Sequence, residues 1–216
     1  MSKKTILIFF PLLFLLFSSV SAFAVIPKIR IRTIAGMEPV SLMSVKNWEN
    51  SSSRWNCAYG FTPGIEVFYI FSKNIEAGIG FKYQLNRKVL KDGSSDNGSF
   101  SYMPLFAAVR FSLSEDKTLK PYLLIKVGYN FFNTDSSFRE EWSSQSGGPL
   151  TSVYGGLYGA ASLGISIRIT DRPGWILRYT MDAGYSFHGG GGSNSMQSYP
   201  INYQAMSADF SLDWML

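Results

Sequence analysis

The 216-residue chain is poor in cysteine, histidine and charge. Aspartate, glutamate, lysine and arginine make up 16% of it, against about a quarter in soluble domains. A single cysteine, Cys57, excludes an internal disulfide framework and any cysteine-rich metal site. Twenty basic against fifteen acidic residues give a net charge of +5. Two of those charges, Lys3 and Lys4, lie in a segment expected to be removed, which leaves eighteen against fifteen. That bias is too weak to imply nucleic-acid binding. Long apolar runs are missing too. The first, Ile6 to Phe17, covers twelve residues, where a spanning helix needs about 20. What the chain has in quantity is glycine (20), tyrosine (12) and phenylalanine (17). That mix is too apolar and aromatic for disorder.

The N-terminus reads as a targeting segment. Lys3-Lys4 precedes the short apolar run, and Ser18-Ser19-Val20-Ser21-Ala22-Phe23-Ala24 follows it. A positive start, an apolar middle and small residues before a cut mark a secretory signal peptide. Ala22-Phe23-Ala24 fits the cleavage pattern, so residues 1–24 are expected to be removed and 25–216 to form the mature domain. A cut after Ala22 is the alternative. No cysteine stands at the cut, which argues against a lipoprotein anchor.

The rest of the chain alternates. Ile75, Ala77, Ile79, Phe81, Tyr83 and Leu85 interleave with Glu76, Gly78, Gly80, Lys82, Gln84 and Asn86, a strict period of two that marks a two-faced strand. The same rhythm predicts strands over about 28–43, 59–71, 75–88, 100–113, 119–133, 151–169, 175–188 and 202–216. Short links at 72–74, 114–118 and 170–174 alternate with long polar stretches at 44–58, 89–99, 134–150 and 189–201. Tight turns at one end and long loops at the other suit a transmembrane barrel, and an even strand count puts both chain ends at the turn end. A hairpin hidden in 44–58 or 134–150 would raise the count to ten.

The content of the two faces decides the surrounding medium. One face is aromatic, aliphatic and free of charge. The other carries Glu66, Glu76, Lys82, Arg110, Lys126, Arg168, Arg178, Asp182, Asp209 and Asp213 among glycines and serines. An eight-stranded barrel has an interior just wide enough for side chains to fill, and the aromatic face of eight strands would overcrowd it. The expected fold is therefore all-β: an eight-stranded antiparallel up-and-down transmembrane β-barrel, with aromatics toward lipid and charges inside. Trp175 and Trp214 fall near the turn end, and Tyr83, Tyr185 and Phe187 near the loop end, as two interfacial girdles would. The inward glycines Gly78, Gly80, Gly128 and Gly164 leave room for the charged side chains.

Pro104-Leu-Phe-Ala-Ala-Val-Arg110-Phe, Pro121-Tyr-Leu-Leu-Ile-Lys-Val-Gly128-Tyr-Asn and Gly156-Leu-Tyr-Gly-Ala-Ala-Ser-Leu-Gly164 resemble consecutive strands of the OmpX/OmpA-like outer-membrane β-barrel domain, the "porin family" group. The resemblance covers essentially the whole mature chain and rests on residue classes. It implies the outer membrane of a Gram-negative-type envelope, with outer-membrane lipid as surroundings. It also implies that the closing strand is read by the barrel-assembly machinery, although Leu216 ends the chain where an aromatic is usual.

Little in the sequence suggests chemistry, and neither a cofactor nor an enzymatic activity is expected. His188 is placed at the outer rim beside Gly189 to Gly192, which reads as a flexible hairpin loop. Barrel lipid A deacylases combine His with a nearby Ser and an acid, yet the nearest serine downstream is Ser193 and no His-x-Ser motif exists. Cys57 is expected as a small rim residue. The lumenal charges either pair structurally, since lone buried charges are costly, or line a narrow solute path. Trp48, Trp55, Phe138 and Trp142 fall in predicted outer loops, where they either touch a surface ligand or pack the loops against headgroups. Two functions follow: a barrel displaying surface loops for interaction or adhesion, and a narrow channel in which Lys126, Arg168 and Arg178 attract anions.

Overall fold

The computed structural model describes residues 29–46, 52–90, 98–114, 118–146, 150–172, 175–195 and 198–216. The expected signal segment and Trp48 lie outside them. One antiparallel sheet contains β1 (Ile29–Lys46), β2 (Ser52–Cys57), β3 (Gly60–Ile70), β4 (Ile75–Lys82), β5 (Gln84–Leu90), β6 (Ser99–Ser112), β7 (Leu119–Thr134), β8 (Ser152–Arg172), β9 (Trp175–Ser193) and β10 (Ser198–Met215). A helix, α1 (Ser136–Ser146), stands between β7 and β8. The sheet closes on itself: β1, β3, β4, β6, β7, β8, β9 and β10 form a ring of eight, sealed where Arg30 of β1 lies opposite Met215 of β10.

The remaining two strands extend the wall upward, and prolines explain why they are separate. β2 continues toward β3 and β5 continues β4, without adding a hairpin. Pro39, Pro63 and Pro104 have no N–H to give a ladder. Pro104 faces the junction of β4 and β5, because Phe81 pairs with Leu105 below it and Gln84 with Tyr102 above. Pro63, on the other side, accepts the Tyr83 N–H at 2.8 Å but can return nothing. Likewise Pro39 sits in a bulge between Met37 and Val40, beside the gap that parts β2 from β3.

The strands are strongly staggered. Partners followed round the ring from Arg32 run through Glu66, Gly80, Phe106, Gly128, Tyr158, His188 and Tyr203, and return to β1 at Met43, eleven residues further on. A barrel of this size holds side chains and little else. Its polarity is inverted relative to a soluble domain: Ile79 is 65% exposed on the outer wall, and Arg32 is fully buried inside. No described helix is long and apolar enough to cross a membrane; the strands do so.

Two stretches expected as loops are built otherwise, one as wall and one as a helix. Gly189 to Gly192 belong to β9, where Gly191 lies between Pro200 of β10 and Tyr154 of β8. The flexible hairpin loop expected there is corrected accordingly. The glycines serve close packing: the Tyr154 ring fills the space where a Gly191 side chain would be. The described residues of the stretch 134–150 hold helix α1 and no hairpin. Asp135 starts it by accepting the Phe138 N–H at 2.8 Å, as a helix N-cap does.

Candidate functional site

The interior of the barrel is a stack of three polar layers beneath an apolar cap. At the turn end, Arg30 donates to Glu76 at 2.8 Å and to Asp213 at 2.7 Å, and Arg110 reaches the same Asp213 oxygen at 2.9 Å. Arg110 also lies over the Tyr122 ring, 3.7 Å from its centroid. Arg178, on β9, donates to the Ser166 hydroxyl at 2.7 Å and carbonyl at 3.0 Å. Arg168 is half-buried directly opposite Arg178 across the β8–β9 pairing.

Arg32 is the hub of the next layer. Its guanidinium touches Asp182, lies 3.3 Å from Glu66 and 3.6 Å from Asp213, and donates to the Ser211 hydroxyl at 2.7 Å. The Tyr122 hydroxyl adds a bond to Asp182 at 2.8 Å. Above it, Lys126 lies 2.6 Å from Glu66 and 3.8 Å from Asp209, which also receives Lys82. Space comes from the inward glycines: a side chain at Gly80 would stand 2.6 Å from Glu66 Cγ, and one at Gly164 would meet the Tyr122 ring at 2.5 Å.

The third layer binds Glu38. Tyr102 and Tyr203 donate their hydroxyls to its carboxylate, the latter at 2.6 Å, and Arg87 holds it at 2.6 Å. Arg87 also donates to the Glu38 carbonyl at 2.8 Å and to the Ala58 carbonyl. Between this clasp and the Lys82–Asp209 pair lies a cavity of about 10 Å³. That is room for about one water. Seven cations and six carboxylates are buried among the described residues, so the lumen nearly balances its own charge.

The cap is dry. Met43, Trp55, Cys57, Val89, Phe100, Phe138, Leu150, Tyr199 and Ile201 close the loop end as one buried cluster that extends to Tyr102 and Tyr203. Trp55 and Phe138, candidate loop aromatics that would either touch a surface ligand or pack the loops down, are both buried, with ring centroids 6.4 Å apart. Trp142 lies on α1. Helix α1 is anchored through Asp135, whose second oxygen receives the Ser99 N–H at 2.9 Å and hydroxyl at 2.7 Å. Burial acts to raise the Asp135 carboxyl, but these bonds and that from Phe138 outweigh it and hold the group below the ordinary aspartate value.

His188 is no rim residue. It is buried inside the lumen, its ring 4.1 Å from Tyr102, 4.8 Å from Tyr158 and 5.3 Å from Tyr203 by centroids. Its Nε2 stands 3.1 Å from the Ser186 hydroxyl. The serine precedes the histidine instead of following it, and in a strand the same-face neighbour lies two residues away in either direction. Its Nδ1 has no hydrogen-bond partner among the described residues, so no carboxylate orients the ring as a catalytic triad requires. Among the described residues no cluster of His, Cys, Asp and Glu could hold a metal ion.

Of the ten charges read as lumenal, Glu66, Glu76, Lys82, Arg110, Lys126, Arg178, Asp182, Asp209 and Asp213 are buried, and Arg168 is half-buried. Four more belong to the same lattice: Arg30, Arg32, Glu38 and Arg87. The first two stand in the Ile29-Arg30-Ile31-Arg32 alternation. The others are hidden by bulges, at Met37/Val40 and Gln84/Arg87, that shift the period of two.

A closed sheet with an apolar outside and an ion-paired inside is a transmembrane β-barrel. No protein-family model and no curated protein matches the chain. Among solved structures it is similar to the outer membrane protein OprG from Pseudomonas aeruginosa, at 10% identity and a TM-score of 0.59 over 88% of this chain and 95% of that one. It is also similar to the outer membrane protein AlkL in lipid bilayers, at 12% identity and a TM-score of 0.51 over 88% and 90%. At such identities the likeness lies in the fold, that of the small outer-membrane β-barrels, consistent with the group its strands resemble.

Proposed function

We propose that this chain is a closed, non-enzymatic barrel of a Gram-negative-type outer membrane, acting as an anchor that presents its outer loops for interaction or adhesion. The observation that carries this reading is the filling of the lumen: three layers of paired side chains, then an apolar cap. A solute path needs connected water, and the cavity between the Glu38 clasp and the Lys82–Asp209 pair has room for about one molecule. The Ser186–His188 pair lies behind the cap, out of reach of a substrate. In this reading residues 1–24 direct export and are cut off, and the last strand is the segment that the barrel-assembly machinery reads.

Planar-bilayer recording tests the closed lumen. The refolded protein should show no steady, porin-like conductance; stable ion-selective openings that vanish on Lys126→Glu would favour a narrow channel. Replacing residues 135–148 by a short Gly-Ser link should leave a folded barrel that has lost its surface interaction, read by adhesion of cells displaying each form. Intact mass of the protein from envelopes should correspond to a chain starting at Val25.

A further inference from the structure

We propose that the outer wall of the barrel carries a saccharide-binding shelf, formed by Asn86, Ser101 and Asn133, for the sugar headgroup of an outer-leaflet glycolipid. The proposal goes beyond the anchor function and rests on its outer-membrane placement. The three residues stand side by side on β5, β6 and β7. Ser101 pairs directly with Asn133, and Arg87, next to Asn86, pairs with Phe100, next to Ser101. Because Arg87 and Phe100 point inward, Asn86 and Ser101 belong to the outer face; Asn86 and Asn133 are exposed there, and Ser101, buried between them, lines the floor of the cleft.

Height fixes what this row meets. One step below it on the same outer face are Leu85, Met103 and Phe131, exposed apolar side chains of the lipid-facing wall. One step above it, Lys88 pairs with Ser99, and Ser99 is bonded to Asp135. The row therefore lies where the acyl band ends and headgroups begin. There the wall opens into a cleft of about 110 Å³ lined by Asn86, Ser99, Ser101, Asn133 and Asp135, with Phe100 behind. A side-chain amide offers two donors and an acceptor, and a hydroxyl offers both roles, the set that adjacent sugar hydroxyls require. Asn133 is already oriented, because its Oδ1 accepts the Thr134 N–H at 3.0 Å. The Asp135 carboxylate beside the cleft disfavours a bare phosphate and suits a hydroxyl donor. A sugar carried by a lipid fits best, because the cleft faces sideways along the membrane and its acyl chains would run down Leu85, Met103 and Phe131.

The test uses the full-length mature protein in phosphatidylcholine nanodiscs doped with monogalactosyl diacylglycerol, with the lipids retained on the released barrel counted by native mass spectrometry. The galactolipid should be enriched roughly tenfold over its bulk ratio, as a pair of net hydrogen bonds would give. Asn86→Leu with Asn133→Leu should bring retention back to the bulk ratio. Both changes place apolar groups on a lipid-facing wall, and gel mobility before and after heating shows whether the barrel has formed. Should the double variant not fold, Ser101→Ala must lower the enrichment instead. Bulk-ratio retention by the unaltered protein, or unchanged enrichment in the variants, overturns the shelf. Binding of free methyl galactoside as tightly as the lipid-borne sugar overturns the lipid source. Loss of enrichment in a non-conducting barrel strikes the shelf alone and leaves the closed-barrel function standing.

Discussion

Arg32 touches more carboxylates than any other lumenal cation described, and its loss should cost more than that of Lys126 above it. If Lys126 is removed, Glu66 keeps Arg32 and Asp209 keeps Lys82. If Arg32 is removed, Glu66 keeps Lys126 and Asp213 keeps Arg30 and Arg110, but Asp182 keeps only the neutral Tyr122 hydroxyl among its described partners. Stranding a buried charge costs about 3–5 kcal/mol, whereas a cation whose partners are all shared is removed more cheaply. Arg32→Met should therefore destabilise the barrel by about 3–5 kcal/mol in urea titrations in vesicles, and Lys126→Met by clearly less. Equal costs, or the reverse order, would show that the lattice does not work through its hub. At this scale the sequence revealed the sign and direction of a side chain wherever the period of two ran unbroken. It concealed Glu38 and Arg87, each beside a bulge, and it could not show which carboxylate meets which cation, because those pairs join strands far apart in the chain.

Strands behave as their alternation implies, and their interruptions follow from single residues. Pro39, Pro63 and Pro104 divide two of the eight strands, which is why ten segments build a ring of eight. The faces can be tested on β4. Ile79→Arg puts a charge into the lipid-facing wall and should cost about 2–4 kcal/mol near the midplane. Alternation alone suggests that Gly80→Ser, pointing inward, is harmless. The packing says otherwise, for its Cβ would lie 2.8 Å from the Ile65 carbonyl oxygen, so both variants should shift the urea midpoint. A neutral Gly80→Ser would mean that the lumen is looser than described. Helix α1 was not legible as a helix: its sequence is polar, and what defines it is the Asp135 cap and a seat on Gly98. Gly98 has φ 86°, and a side chain there would run into the Phe138 backbone. Asp135 titrates below its unfolded value of about 3.9, so its hold on α1 is complete above that pH and lost as pH falls through the lowered value. The Ser99 and Phe138 amide signals should follow that titration in NMR, and in Asp135→Asn they should not.

The whole molecule is closed by two unlike materials, and this has consequences that neither has alone. Composition and periodicity disclosed the barrel, the strand number and the inverted polarity. They did not disclose the cap, because Trp55, Phe100, Phe138, Leu150 and Tyr199 come together only after the ring has closed. The cap keeps water from the Glu38 clasp, and the ion pairs below fill the lumen independently of it. Trp55→Ala with Phe138→Ala should therefore open the top without opening the barrel. Cys57, buried in the same cluster, should then react with a water-soluble maleimide much faster than in the unaltered protein. Planar bilayers should nonetheless stay silent, because Arg32, Lys82 and Lys126 remain clamped to Glu66, Asp182 and Asp209 below. Steady openings in the cap-truncated protein would mean that the ion pairs line a path instead of blocking one. An ion preference that changed on Lys126→Glu would then identify Lys126 as part of its lining.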